Sequence, residues 1–281
     1  MSALSSTYKI RQKVLGYPVD LVSEQSALEV IDEAWRNGKS LHVVTLNAEM
    51  VVAAQQDQQL DRIIRHAHLI VPDGSGVVFA LKLIGHTVAK LPGIELAAAA
   101  IKQAAKSNRR VALLGSKPEV IEKIQKLLVE QNPGLNIVAT HDGFWSSESE
   151  DEVVDALSAA EPDLLLVAMG VPRQEYFLDR WHAAFPHAVM IGVGGSFDVW
   201  AGNVKRAPAL FRRFHLEWLY RLLKEPWRYK RIGSALPSFA FQVLAEAARS
   251  NIESDGKHGE RRGSKRINNH GKSSKERSKE K

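Results

Sequence analysis

No cysteine occurs among the 281 residues. That absence excludes a disulfide framework, a thiol nucleophile and a thiolate metal site, and it makes a reducing cytoplasm the default compartment. Long apolar runs are missing as well. The longest, Leu164 to Val171 with one glycine, falls far short of the roughly 20 residues a spanning helix needs. The N-terminal stretch MSALSSTYKIRQ lacks the apolar centre of a secretory signal, so the expectation is a chain that is neither exported nor threaded through a bilayer. Several catalytic signatures are also absent: no G-x-S-x-G elbow, no G-x-x-x-x-G-K-[ST] phosphate loop, no H-E-x-x-H. The ten histidines show no metal-ligand spacing, and His66 and His68 read as ordinary surface or half-buried side chains. Nor is there a D-x-D pair to hold a divalent cation against a sugar nucleotide. No metal and no cofactor are expected.

What is present is unevenly distributed. Between Lys205 and Arg231 nine Lys/Arg face only Glu217 and Glu225, and from Glu253 to Lys281 ten face five. The overall charge of +6 therefore leaves residues 1–204 at about −6. Basicity confined to the C-terminal quarter points to an anionic partner, either nucleic acid or acidic lipid, that touches that quarter alone.

Along residues 1–204 short apolar runs alternate with amphipathic segments. LHVVTL, HLIVP, RVALLG, LNIVAT, DLLLVAMG and AVMIGVGG read as strands, most of them buried on both faces. A helix over PEVIEKIQKLLVEQ is introduced by Ser116 and closed near Asn132-Pro133-Gly134. SESEDEVVD reads as the solvated start of another, its carboxylates complementing the helix dipole. Regular alternation of strand and helix predicts an α/β fold: a Rossmann-like, mostly parallel sheet with helices on both faces. The expected division is a catalytic domain over 1–204, a basic amphipathic helical appendage over 205–250 and a disordered basic tail over 251–281, nearly devoid of apolar residues.

Ligands of open α/β sheets settle beyond the carboxyl ends of the strands. Four such ends carry chemistry. In TLNAEMV, Thr45 and Asn47 follow a strand, and Asn47 reads either as the cap of the next helix or as a group facing the crevice. In IVPDGSGVV, Asp73 precedes Gly74 and Gly76; its carboxylate suits an N-cap, or a general base drawing a proton from a sugar hydroxyl, and the glycines let a ligand approach the backbone. MGVPRQEYF brings Arg173 and Gln174 to a helix N-terminus, where anions are favoured. GVGGSFDVWAGNVKRAP holds Gly192, Gly194 and Gly195 in a phosphate-cradling kind of turn that does not match G-x-G-x-x-G.

These four motifs in this order, together with LPGIEL, LLGSKPEV and LEWLYRLLKEPWRYKR, resemble the WecG/TagA/CpsF glycosyltransferases, glycosyltransferase family 26, over roughly residues 8–245. The resemblance implies a Rossmann-like catalytic domain with a C-terminal helical appendage. It also implies an inverting, metal-independent transfer of an N-acetylmannosamine-type sugar, or its uronic acid, from a UDP donor to polyprenyl-diphosphate-linked GlcNAc in cell-envelope polysaccharide synthesis. On that pattern Asp73 matches the general base, and Thr45 and Asn47 the pair beside acceptor and donor. Gly74, Lys90, Arg173, Gln174, Gly194, Gly195 and Arg206 are expected at the substrates. Arg221, Arg228 and Arg231 match appendage arginines expected to close over the site and meet the diphosphate. Lys90 stands where the family more often carries Arg, and Lys cannot reproduce a bidentate Arg contact. Glu95 stands where Asp is common, and the basic tail is not a family feature.

The appendage pattern fits a peripheral place on the inner face of the cytoplasmic membrane. On a helical wheel Leu216, Leu219, Tyr220 and Leu223 share one face and Glu217, Arg221, Lys224 and Arg228 another, continued by Arg231 after Pro226. Such a helix binds anionic leaflets through burial and charge together, and Trp218, Trp227 and Tyr229 suit the headgroup boundary. The same stripe equally suits packing on the catalytic domain or a homo-oligomer interface. Two other classes stand beside the enzyme: a nucleic-acid-binding module, which explains the basic quarter but not the strand-end residues of the acidic body, and a non-catalytic sugar-nucleotide binder. No specific nucleic acid is expected as a partner.

Overall fold

The computed structural model describes residues 10–205, 207–208 and 235–249, with single positions at 211, 220 and 233. Two compact units divide it, residues 1–239 and 240–281. Of the second, the described part is helical through residue 249 and exposes Phe241 and Leu244. The predicted tail over 251–281 and most of the predicted appendage helix lie outside the described residues. Of the appendage's predicted packing face, Tyr220 is described, and its ring packs against Phe211 at 5.5 Å.

The first unit opens with an antiparallel hairpin, β1 (Arg11–Val14) and β2 (Tyr17–Asp20). Its turn, Leu15-Gly16, has positive φ at both residues, the backbone twist that two-residue hairpins favour. Asp20 is fully buried, and three hydrogen bonds from two residues keep it there. Arg11 grips both of its carboxylate oxygens at 2.8 Å, and the Ile70 N–H donates to Oδ2 at 2.8 Å. A buried carboxylate matched by a bidentate guanidinium and a backbone donor has its lone pairs satisfied, so the hairpin is pinned to the main sheet.

That sheet has six strands, all parallel: β3 (Leu41–Leu46), β4 (Leu69–Pro72), β5 (Arg110–Gly115), β6 (Asn136–His141), β7 (Leu164–Ala168) and β8 (Val189–Gly192), in the order β4-β3-β8-β7-β5-β6. Five are buried almost end to end, while β6, the edge strand, is only half-buried. Burial on both faces is why the runs read as continuous Val/Leu/Ile and not as alternation. On one face pack α1 (Glu24–Arg36), α5 (Gly93–Lys106), α6 (Pro118–Gln131) and α9 (Ser196–Trp200), through Ile31, Leu96, Ile101, Ile124 and Phe197. On the other pack α7 (Glu150–Ala159) and α8 (Arg173–Arg180), through Val154, Leu157, Phe177 and Leu178. The remaining helices, α2 (Ala48–Ala54), α3 (Gln58–His66) and α4 (Ser75–Leu83), follow β3 and β4.

The connection after β5 moves outward to β6, whereas the one after β7 moves back to β8. Neighbouring strands that send their chains to opposite faces leave a crevice at their carboxyl ends, here between β7 and β5.

Candidate functional site

Two clusters meet at this edge of the sheet. The first lies at the ends of β3 and β4. Asn47 caps α2, its Oδ1 accepting the Met50 N–H at 3.0 Å; the cap reading of its sequence is what the side chain does. Asp73 is not a cap. Gly74 holds the N-cap position of α4, with no side chain to offer, and Asp73 stands one residue earlier, half-buried, its N–H donating to the Leu46 carbonyl at 3.0 Å. A methyl placed on Gly74 would lie 3.0 Å from Asn47 Cβ, so the bare backbone is what lets the Asp73-Gly74 turn lie against the start of α2. Lys90 joins the cluster by its chain position, because the next residue, Leu91, donates its N–H to the Pro72 carbonyl at 2.9 Å. Two residues beyond Leu91, Gly93 starts α5 directly against the Thr45 side chain.

The second cluster lies at the ends of β7 and β8, and Gln174 organises it. The side chain is buried. Its Oε1 accepts two backbone N–H groups, Gly170 at 3.1 Å and Gly194 at 2.9 Å, while Nε2 donates to Glu175 Oε1 at 2.8 Å. One amide thus holds the turn after β7 and the glycine turn after β8 in fixed relation. Expected at the substrates, Gln174 here positions the loops that line the crevice. Thr45 joins the two clusters: buried, it donates from Oγ1 to the Gly192 carbonyl at 3.4 Å. Thr45 thus ties the end of β3, whose following turn carries Asn47 against Gly74, to the end of β8, whose following turn Gln174 holds through Gly194. Arg173 is exposed at the first position of α8, its guanidinium 4.9 Å above the Trp145 ring. Arg206, Arg221, Arg228 and Arg231 lie outside the described residues.

The carboxyl ends of β5 and β6 carry residues without a local sequence signal for chemistry. Ser116 does not open α6; that helix begins after Lys117, with Pro118 in its first turn. Ser116 instead adopts φ +60° and donates from Oγ to Asp198 Oδ2 at 3.0 Å, tying the loop after β5 to α9. The signal available in the sequence was a Gly-Ser pair between a buried strand and Pro118. A cleft of about 410 Å³ opens nearby, lined by His141, Asp142, Phe144, Trp145 and Glu152 among others, at the carboxyl end of β6 and not beside Asp73. Its Trp145 wall is fixed from behind by Glu150, which accepts from the indole N–H groups of Trp145 at 3.3 Å and Trp181 at 2.8 Å and pairs with Arg180 at 2.9 Å. Burial pushes the Glu150 carboxyl up, but the indole and guanidinium donors outweigh it and hold its pKa below the usual value. Glu150 is thus more than the solvated helix start its sequence suggested.

One buried carboxyl departs further from its ordinary value. Glu175 is 3% exposed, its Oε2 has no protein partner, and burial pushes its pKa up to about 7 against the Gln174 hydrogen bond that favours the ionised form. Because the folded-state pKa is raised, the stability contribution is complete below the unfolded value near 4.5 and is lost as pH rises through 7. The shift corresponds to roughly 3 kcal/mol. The Glu175→Gln variant, free of that ionisation, should therefore gain stability relative to the native chain between pH 5 and pH 8. Paired denaturant titrations at the two pH values measure the gain; an unchanged difference would mean that the carboxyl ionises there without penalty.

Among the described residues no group of three or more His, Asp or Glu side chains is placed to hold a metal ion. His68 Nδ1 accepts the His42 N–H at 3.1 Å and His66 Nδ1 lies 2.8 Å from the Arg62 carbonyl oxygen, consistent with the ordinary roles expected of both. Among the described residues no helix is long and apolar enough to cross a membrane.

A doubly wound parallel sheet with glycine turns and helix N-termini at its strand ends is an architecture suited to binding an anionic, phosphate-bearing ligand. The particular lineage follows from comparison: residues 12–253 match the family described as Glycosyl transferase WecG/TagA/CpsF, and the chain belongs to that family. Among its relatives are N-acetylglucosaminyldiphosphoundecaprenol N-acetyl-beta-D-mannosaminyltransferases. That of Bacillus spizizenii is 39% identical over 73% of this chain and 79% of its own length. That of Staphylococcus aureus strain MW2 is 36% identical over 85% and 93%.

Proposed function

We propose that this protein transfers N-acetylmannosamine from a UDP donor to the GlcNAc of a GlcNAc-diphosphate-undecaprenol acceptor, with inversion and without a metal ion. The observation that carries the reading is the Thr45–Gly192 hydrogen bond, which ties the strand end before Asn47 to the strand end before the glycine turn and so supports a base and phosphate donors acting on the same sugar. Asp73 takes the proton from the acceptor hydroxyl as that oxygen attacks the anomeric carbon, and the bond to UDP breaks on the opposite side. The departing diphosphate faces the start of α8, which has no side-chain cap bond, beside the glycine turn after β8. Uncapped N-termini present backbone N–H groups and a positive dipole end to an anion. Preorganised donors of this kind take the place of a cation, in keeping with the absent D-x-D motif. The Trp145-walled cleft, one stacking contact from Arg173, supplies an aromatic face for a nucleobase. Relatives named for transfer of the same sugar to the same lipid-linked acceptor support the substrate pair.

The test is transfer from a panel of UDP-sugars to a soluble polyprenyl-diphosphate-GlcNAc analogue in the presence of chelator. Product from UDP-ManNAc alone is expected. Product only from another UDP-hexose would reassign the donor, a choice that a few pocket contacts decide. Product abolished by chelator would overturn metal independence.

A further inference from the structure

Among the described residues, the helix that starts at the Asp73 turn carries a group of exposed apolar side chains. On α4, Val77, Ala80 and Leu81 are buried, but Phe79 is 51% exposed, Leu83 41% and the adjoining Ile84 37%. Phe79 and Leu83 are four residues apart and so lie on one side of the helix. Single exposed apolar residues are ordinary, whereas a grouped set calls for a partner. The chain around them carries one sign of charge. From Gly74 to Ile94 it holds Lys82, His86 and Lys90 and not one carboxylate, although residues 1–204 as a whole are net acidic by about six charges.

We infer that this face of α4 is a membrane-contact surface that sets Asp73 at the depth of a lipid-borne diphosphate. The inference rests on the lipid-linked acceptor proposed above. A polyprenyl tail stays in the bilayer, so its diphosphate-sugar must meet the base at the surface. Phe79 and Leu83 stand roughly 6 and 12 Å along the axis from Ser75, the first residue of α4. An interfacial helix buries its apolar side about 5–10 Å into the headgroup boundary. Laid on that boundary by Phe79, Leu83 and Ile84, α4 keeps its N-terminus, and with it Asp73, in the headgroup layer where the diphosphate emerges. Lys82 and His86 beside the apolar residues match an anionic leaflet.

The absence of cysteine makes a site-specific test direct. Phe79→Cys and Leu83→Cys in the full chain, each labelled with a polarity-sensitive fluorophore, are titrated with phosphatidylglycerol-containing vesicles; Val129→Cys, exposed near the far end of α6, serves as reference. Blue-shifted, brighter emission at 79 and 83 that shallow nitroxide lipids quench, with no change at 129, is the expected result. Emission unchanged at 79 and 83 overturns the proposal, whether or not the chain binds the vesicles through another segment. A blue shift that instead grows with protein concentration in the absence of lipid identifies a second copy on this face and also overturns it. In parallel, Phe79→Ser/Leu83→Ser should lose transfer to a bilayer-embedded acceptor several-fold and keep transfer to a soluble one. Equal activity on both acceptors counts against the membrane role. Failure of the native chain on the soluble acceptor would instead sink the transferase reading, and the fluorescence result would stand apart from it.

Discussion

Asp73→Asn should abolish practical turnover, lowering the transfer rate by about 10²- to 10⁴-fold while leaving UDP binding close to native. The magnitude is that of a general base lost from its place. Selectivity of the loss follows from position. Asp73 is not the cap of α4, a place held by Gly74, and its backbone N–H bond to the Leu46 carbonyl survives the substitution. The glycine turn held by Gln174 lies at the ends of β7 and β8, on other strands. Changing one oxygen to an amide nitrogen therefore removes a proton acceptor with little change of shape. Single-turnover transfer and UDP titration on the same preparation test it. A variant that turns over at near-native rate removes Asp73 from the chemistry, and one that loses UDP binding as well makes it a donor-side residue. A protein that binds UDP and shows no turnover in its native form would be a sugar-nucleotide binder and not an enzyme.

How much of this was legible beforehand varies along the chain, for physical reasons. Each of the six parallel strands was visible as a short apolar run, because strands covered on both faces have few polar positions. The runs overshot where the site begins: Met169-Gly170 and Val193-Gly194-Gly195 continue the composition of β7 and β8 but belong to the turns beyond them. The β1–β2 hairpin has no such local signal. Its strands are four residues each, and what fixes them is the reach of Asp20 to the Ile70 N–H, a contact across 50 positions. The strand-end residues were found by rule and by resemblance, yet their roles depended on contacts that no local pattern encodes. Asn47 spends its carbonyl on a cap, and Gln174 spends its amide on Gly170 and Gly194. Trp145 drew no attention because it lies in an irregular stretch after an edge strand. Its importance comes from Glu150 behind it and Arg173 above it.

The Gln174 clamp carries the other large expected effect, which Gly192→Ala should expose. A Cβ built on Gly192 lies 2.4 Å from Gln174 Nε2, 2.9 Å from Cδ and 3.2 Å from Cγ. Three successive atoms of one side chain would have to move, and that side chain is 2% exposed, its oxygen accepting two bonds and its nitrogen donating one. Displacing it breaks three hydrogen bonds, each worth about 1 kcal/mol net, and strands buried donors at about 1–3 kcal/mol apiece. A loss of roughly 3 kcal/mol or more is expected, with transfer activity falling as the turns after β7 and β8 come apart. Gln174→Ala removes the same bonds without the collision, so the two substitutions act through one contact and should not add. The double variant should be little less stable than Gly192→Ala alone, since the alanine methyl then enters space that Gln174 has vacated. Urea unfolding of the four proteins gives the coupling energy directly. If the two losses simply sum, Gly192 and Gln174 are independent, and the glycine is required for the backbone of β8 and not for the clamp. If they couple, the donor-side wall of the crevice is held by one amide, and activity should track the integrity of that amide across all four proteins.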